Sequence, residues 1–188
     1  MIIRSKRDNI YYLEKLGVNY FPEKSFNPKD EKLQEKVEGF LNENNVNLYV
    51  MRDVSNFQGK TFFNISKNEV YENLKAYSDW FSIAVSSGNF GKYELIGDIY
   101  ISKTLEEFWI IASDNPKYTT RGVLKDPKWN YSTDYYDRRL KYIPNIDKIV
   151  DYIFEYELFD MIVEFVVYPH KVGKNKEYVA IFELRTNY

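Results

Sequence analysis

At 188 residues, with 44% hydrophobic and 29% charged residues, the chain has a globular balance and a length suited to a single domain spanning 1–188. Lys plus Arg number 26 and Asp plus Glu 28, a formal charge of -2, so the basic field that nucleic-acid binders use is missing and nucleic acid is disfavoured as a partner. With no cysteine, disulfides, thiolate chemistry and cysteine-ligated zinc are excluded, and with His170 as the one histidine multi-histidine metal sites are excluded and a Ser-His-Asp triad is disfavoured. Any chemistry must run on carboxylates, Lys, Arg or Tyr.

No apolar run approaches the roughly 20 residues that span a bilayer, and MIIRSKRDN has no signal-peptide core. A cytoplasmic protein with no membrane partner is expected. The 18 Tyr and 13 Phe fall mostly at strand and helix-face positions, which suits core and boundary use better than base stacking.

In chain order, Asp8 as cap, Ile10, Leu13 and Leu16 at helical spacing and Gly17 as stop predict a first helix. Asn27 and Pro28 open a second, carrying Leu33, Val37, Phe40 and Leu41 on one face. NYFPEKSF reads as a connector, so two helices are expected before any strand. Asn47–Asp53 and Thr61–Ile65 predict two strands across the loop NFQGK. Ser66 and Glu69 form a capping box that opens a helix with Val70 and Leu74 inward. WFSIAVSS, KYELIGDIYIS and EFWIIAS predict an antiparallel meander, turned by SGNFG and KTLE. The polar stretch from Asn115 to Trp129 reads as a connector with a helical turn or two near Arg121. Two helices are then expected: TDYYDRRLKYI, ended by Pro144, and IDKIVDYIFEYELF, with Ile146, Ile149, Ile153 and Leu158 as its inward stripe. Together these predict a single α+β domain with a mainly antiparallel sheet and flanking helices.

The C-terminal stretch VEFVVYPHKVGKNKEYVAIFELR predicts a β-hairpin. Pairing Glu164 with Glu183 places Val163, Phe165 and Val167 against Leu184, Phe182 and Ala180, an apolar face. The other face then carries Ile162 with Arg185, Val166 with Ile181 and Tyr168 with Val179. That second face mixes apolar residues with Glu164, Glu183 and Arg185, and Asn187 extends it by alternation. Two opposed carboxylates repel by roughly 0.2–1 kcal/mol. Arg185 or a hard cation such as Mg²⁺ would offset this, and a charge pair on a partly covered sheet face is the purely structural alternative.

The acidic strand VEF followed by a strand ending FELRT resembles the end of the ATP-grasp domain of phosphoenolpyruvate synthase and pyruvate phosphate dikinase. In that comparison Glu164 matches the family's metal-side glutamate, Glu183 stands where Gln is usual, and Arg185 matches the arginine that follows. Other ATP-grasp branches end in E-x-N, with Arg185 standing where they have Asn. YVMRD, with Arg52, is similar to the family's V-R-S-S strand, whose arginine contacts phosphate. The resemblance implies an ATP site between two β-rich layers, with Mg²⁺ bridging the phosphates. Glu164 and Glu183 would hold the metal and Arg185 would act on phosphate as the catalytic candidate. Arg52, Lys60 and Asn187 would complete the ligand site. The implied ligand is ATP or a related small phosphate compound, and the implied reaction is phosphoryl transfer.

Other features have plainer readings. SSGNFGK and NFQGK read as turns, TTRG as a loop, Arg138 and Arg139 as intrahelical partners of Asp134 and Asp137, and His170 as part of an exposed basic turn. The competing functional reading is a non-enzymatic protein-interaction module or inhibitor that uses a tyrosine-rich surface.

Overall fold

The structure, a computed structural model, describes residues 3, 6–55, 59–114 and 127–186. The helical turns expected near Arg121 lie outside these residues, as does Asn187. The chain divides into two compact units, one made of Arg4–Tyr12 and Phe21–Gly91, the other of Met1–Ile3, Leu13–Tyr20 and Lys92–Tyr188. Helix α1, Lys6–Leu16, stops at Gly17, whose φ of +70° is one that glycine adopts without strain.

The Phe21–Gly91 unit holds a four-stranded antiparallel sheet, ordered β1 (Glu23–Phe26), β4 (Phe81–Val85), β2 (Tyr49–Asp53) and β3 (Thr61–Ile65). Helix α2, Leu33–Glu43, brings Val37, Phe40 and Leu41 into the core with Phe26, Tyr49, Met51, Phe81 and Ile83. Phe26 and Tyr77 both stack on Phe81, at centroid distances of 5.7 and 4.9 Å. These ring pairs add to the burial energy. Helix α3, Lys67–Asn73, opens with the expected capping box, Ser66 and Glu69 each satisfying the other's backbone N–H.

The other unit holds a five-stranded antiparallel sheet, ordered β7 (Trp129–Thr133), β6 (Phe108–Ser113), β5 (Leu95–Ile101), β8 (Met161–Val172) and β9 (Glu177–Thr186). Helix α4, Ile146–Glu155, packs on β8 and β9 and buries Ile149, Tyr152 and Ile153. The α+β class, the antiparallel pairing and the C-terminal hairpin thus stand as read from the sequence.

Several local expectations do not. α2 begins at Leu33, not near Pro28, because Asn27 and Asp30 take local backbone donors first: their carboxyl or amide oxygens accept from Lys29 N–H and Lys32 N–H. A strand, β1, precedes α2; its four residues EKSF carry too little apolar pattern to be seen. TDYYDRRLKYI yields only a 3₁₀ turn over Arg138–Tyr142, since Asp134 and Asp137 accept from Tyr136 N–H and Arg139 N–H and break the helix into turns. WNYST, which overlaps the expected connector, is strand β7. The expected meander is also broken: β4 pairs with β1 and β2, while β5 and β6 belong to the other sheet. Between them SGNF forms a 3₁₀ turn.

The hairpin register holds where it was set and slips beyond it. Glu164 faces Glu183, Ile162 faces Arg185 and Val163 faces Leu184, but Phe165 faces Ile181 and Val167 faces Val179. The slip is a β-bulge that takes Phe182 out of the ladder. Phe182 and Ala180 are therefore not the partners of Phe165 and Val167. β-branched Ile181 and Val179 take those places on the core face, where both are buried.

Candidate functional site

The bulge keeps Glu183 opposite Glu164, and β5 adds a third acid to the row. Asp98 pairs with Glu164, which pairs with Glu183, so one row across β5, β8 and β9 is Asp98, Glu164, Glu183. The next row on the same face is Tyr100, Ile162 and Arg185. The three acids are 8%, 7% and 8% exposed, a level at which carboxylates require compensation.

Asp98 was not a candidate from the sequence. The signal was present: in LIGDIYI every residue is buried, so an acid at the centre of that strand has to be held by something. The preceding residue, Gly97, lets β6 come close, since a Cβ there would lie 2.1 Å from the Ile111 carbonyl oxygen.

Arg185 compensates part of the charge. Its Nη2 lies 2.8 Å from Asp98 Oδ2. The contact is an ion pair by distance without hydrogen-bond alignment, because Nε and Nη2 of Arg185 and Oδ1 of Asp98 have no hydrogen-bond partner among the described residues. Burial pushes the Asp98 carboxyl above its ordinary pKa, with Arg185 pulling against that rise. Burial works against the Arg185 charge, but Asp98, followed by Glu164 and Glu183, outweighs it and holds the guanidinium pKa above its usual value.

Of the remaining expected site residues, Arg52 and Lys60 lie in the Phe21–Gly91 unit, while Asn187 lies outside the described residues. Arg52 forks onto Glu23, Nε at 2.8 Å and Nη2 at 2.6 Å from the two carboxylate oxygens, and Ser82 donates to the same carboxylate. The two side chains are 13% and 6% exposed. A phosphate would have to displace Glu23 to use this fork. Lys60 is exposed, with Nζ 5.5 Å from the Phe62 ring centre. The structure therefore brings together Glu164, Glu183 and Arg185, adds Asp98, and gives Arg52 a carboxylate partner of its own.

Chemically, the row suits a hard divalent cation in part. Opposed carboxylates could offer two oxygen ligands, and Mg²⁺ is commonly held by one or two carboxylates plus water and phosphate. No set of three or more acidic or histidine side chains among the described residues is arranged to hold a metal unaided. Glu164 and Glu183 are the carboxylates that would hold such an ion in part, while Asp98 is tied to Arg185. No helix among the described residues is long and apolar enough to cross a membrane.

The sequence matches no protein-family model and no curated protein. Solved structures do match. N5-carboxyaminoimidazole ribonucleotide synthetase in its ADP complex aligns with a TM-score of 0.54 at 14% identity, over 95% of this chain and 43% of that chain. D-alanine-D-alanine ligase from Coxiella burnetii aligns at 0.51 and 13% identity, over 94% and 45%. The Helicobacter pylori ligase aligns at 0.51 and 15%, over 94% and 51%. The fold is ATP-grasp-like. The chain spans about half the length of these structures, and at these identities the likeness concerns the fold.

Proposed function

We propose that the chain is an ATP-grasp-like nucleotide-binding protein that takes ATP or a related phosphate ligand with Mg²⁺. The observation that carries this reading is the buried, directly opposed pair Glu164 and Glu183. It occurs on a fold similar to ATP-grasp ligases, one of them in an ADP complex. Glu164 and Glu183 hold the cation; Arg185 keeps the carboxylate row near charge balance. Bound Mg²⁺ would screen the phosphate oxygens, and the reaction class such a site serves is phosphoryl transfer, where positioning and electrostatics supply most of the rate. The sequence-level resemblance to phosphoenolpyruvate synthase is one branch within this reading; the structural neighbours are synthetases and ligases.

Thermal unfolding with Mg²⁺ and a panel of nucleotides tests the reading. Ligand at about 100 times its Kd adds roughly 2.7 kcal/mol, about 5–11 °C for a chain of this size. The Glu164→Gln/Glu183→Gln double variant should lose the Mg²⁺-dependent part of the shift and melt at or above the parent's temperature, since the repulsion is gone. No shift with any nucleotide at millimolar concentration, or a shift unchanged in the double variant, overturns the proposal.

One observation favours a protein-interaction surface as the second reading. The rings of Phe159, Phe154, Tyr135 and Tyr136 touch in series, at centroid distances of 5.0, 5.6 and 5.5 Å, and Phe154 and Tyr136 are 39% and 75% exposed. Exposed aromatic clusters of this kind serve as anchors at interfaces.

A further inference from the structure

Helix α4 has two unlike faces. Ile149, Tyr152 and Ile153 are buried, and at about 3.6 residues per turn the positions opposite them are Asp147, Asp151, Phe154 and Glu155. All four are exposed. The three acids follow one another at i, i+4 and i+8, a spacing at which like charges weaken a helix. Glu155 also stands in the last turn, which carries no basic residue and where the helix dipole disfavours an anion. No ion pair among the described residues includes Asp147, Asp151 or Glu155. The stripe therefore works against the helix that carries it.

Phe154 sits among these acids and belongs to the aromatic series, its ring in contact with Tyr135 on one side and Phe159 on the other. Phe159 is flanked in the chain by the exposed acids Glu157 and Asp160. Burial, and after it the Asp151 charge, push the Tyr135 phenol above its ordinary pKa, so the acid stripe meets the rings across space as well as along the chain. From Ile146 to Asp160 the chain has five acids and a single base, Lys148, whose Nζ is 2.8 Å from Glu94. Toward Tyr136 the balance is closer, with Arg138 exposed and Arg139 held by Asp137. An exposed apolar anchor with acids along one side of it is the result.

We propose that this face docks a basic, amphipathic segment of another protein, its apolar side chains on Phe154, Tyr135 and Tyr136 and its Lys or Arg residues along Asp147, Asp151 and Glu155. This rests on the protein-interaction reading above and adds the chemistry of the partner. Charge decides the occupant. The acids repel phosphate-rich surfaces, and a second copy meeting this face across a two-fold axis would set acids against acids. A basic segment relieves the repulsion within the stripe while its apolar side chains cover the rings, the combination that gives an interface both its anchor and its specificity.

Isothermal titration calorimetry with two synthetic amphipathic peptides, one built of Leu and Lys and the other of Leu and Glu in the same pattern, reads this directly. The Leu/Lys peptide should bind the parent at least about tenfold more tightly than the Leu/Glu peptide, and should lose about tenfold or more in affinity both in Phe154→Ser and in Asp151→Asn/Glu155→Gln. Leu/Glu binding as tight as Leu/Lys, and lost in Phe154→Ser, overturns the basic partner and leaves the interaction surface standing. Loss in the charge variant alone overturns the proposal, since the acids then attract any cation without an apolar anchor. Affinity unchanged in both variants, or no binding of either peptide at millimolar concentration, overturns the proposal and the interaction surface together. Sedimentation of the chain alone covers the remaining occupant: a dimer that Phe154→Ser dissolves makes the partner a second copy and overturns the basic segment. Circular dichroism checks that the variants are folded; if Phe154→Ser is not, Tyr136→Ser, at a ring 75% exposed, replaces it with the same expected loss.

Discussion

Arg52→Ala separates a structural arginine from a ligand-binding one. Its guanidinium is bidentate on Glu23, at 2.8 and 2.6 Å, and the Glu23 side chain is 6% exposed. Truncation leaves a buried carboxylate whose identified remaining donor is the Ser82 hydroxyl. Breaking a buried ion pair by removing one partner costs about 3–5 kcal/mol. At about 2–4 °C per kcal/mol for a chain of this length, the melting temperature should fall by about 6–20 °C. Replacing both partners with apolar residues, as in Glu23→Leu/Arg52→Leu, should recover most of the loss, because no charge is then stranded. Differential scanning calorimetry of the parent, the single and the double variant supplies the three numbers. If Arg52→Ala melts within about 2 °C of the parent and loses its nucleotide-dependent shift, the fork on Glu23 is not what Arg52 is for, and the stability reasoning fails.

Asn19 is the other concentrated polar residue. Fully buried, it donates through Nδ2 to the Val172 and Val179 carbonyls, at 3.0 and 2.6 Å, and accepts through Oδ1 from Asn175 N–H at 2.8 Å. It thereby ties the ends of β8 and β9 to the chain near Tyr20, which itself bridges Ile181. Asn19→Ala strands three backbone groups at about 1–3 kcal/mol each, so a loss of at least 3 kcal/mol is expected in urea unfolding; a loss below 1 kcal/mol would show that water replaces the side chain. Gly173 shares this packing, since a Cβ there would lie 2.5 Å from Asn19 Oδ1 and its φ is +74°. Tyr93 gives the pH prediction. Burial pushes its phenol up from 10.0 to about 12, so the folded chain keeps the proton longer than the unfolded one. The associated stability is full below about pH 10 and is lost as pH rises through 12. Its buried hydroxyl has no hydrogen-bond partner among the described residues, so Tyr93→Phe should leave stability at neutral pH unchanged or raised by about 1 kcal/mol and flatten the alkaline loss. A marked loss at pH 7 would refute this.

Much of the fold was legible because it is written in local periodicity. Alternation in VEFVV and in ELR assigns faces at the Glu164–Glu183 end of the hairpin without reference to anything distant, and the pair Glu164–Glu183 is one of the registers that parity allows; the bulge at Phe182 breaks the alternation through AIF. Ser66 and Glu69 sit three residues apart, so their capping box is a matter of helix geometry alone. Misreadings arose where polar side chains compete for the backbone. Asn27, Asp30, Asp134 and Asp137 lie in stretches that count as helical by spacing, yet each captures a nearby N–H and ends the regular ladder.

The sequence by itself determined the α+β class, the antiparallel pairing and the shared face of the two glutamates, since all three depend on residues close in the chain or on strand parity; that the two stand directly opposite each other was decided by the register. The tertiary structure decided the rest of the site. Asp98 and Arg185 are 87 positions apart by their numbering, and their 2.8 Å contact exists only because β8 lies between β5 and β9 in the sheet. Arg52, alike in type and also strand-borne, is matched to Glu23 because β4 brings β1 and β2 to either side of Ser82. Charge balance in a sheet is settled between strands, and the order of strands is not written in any one of them.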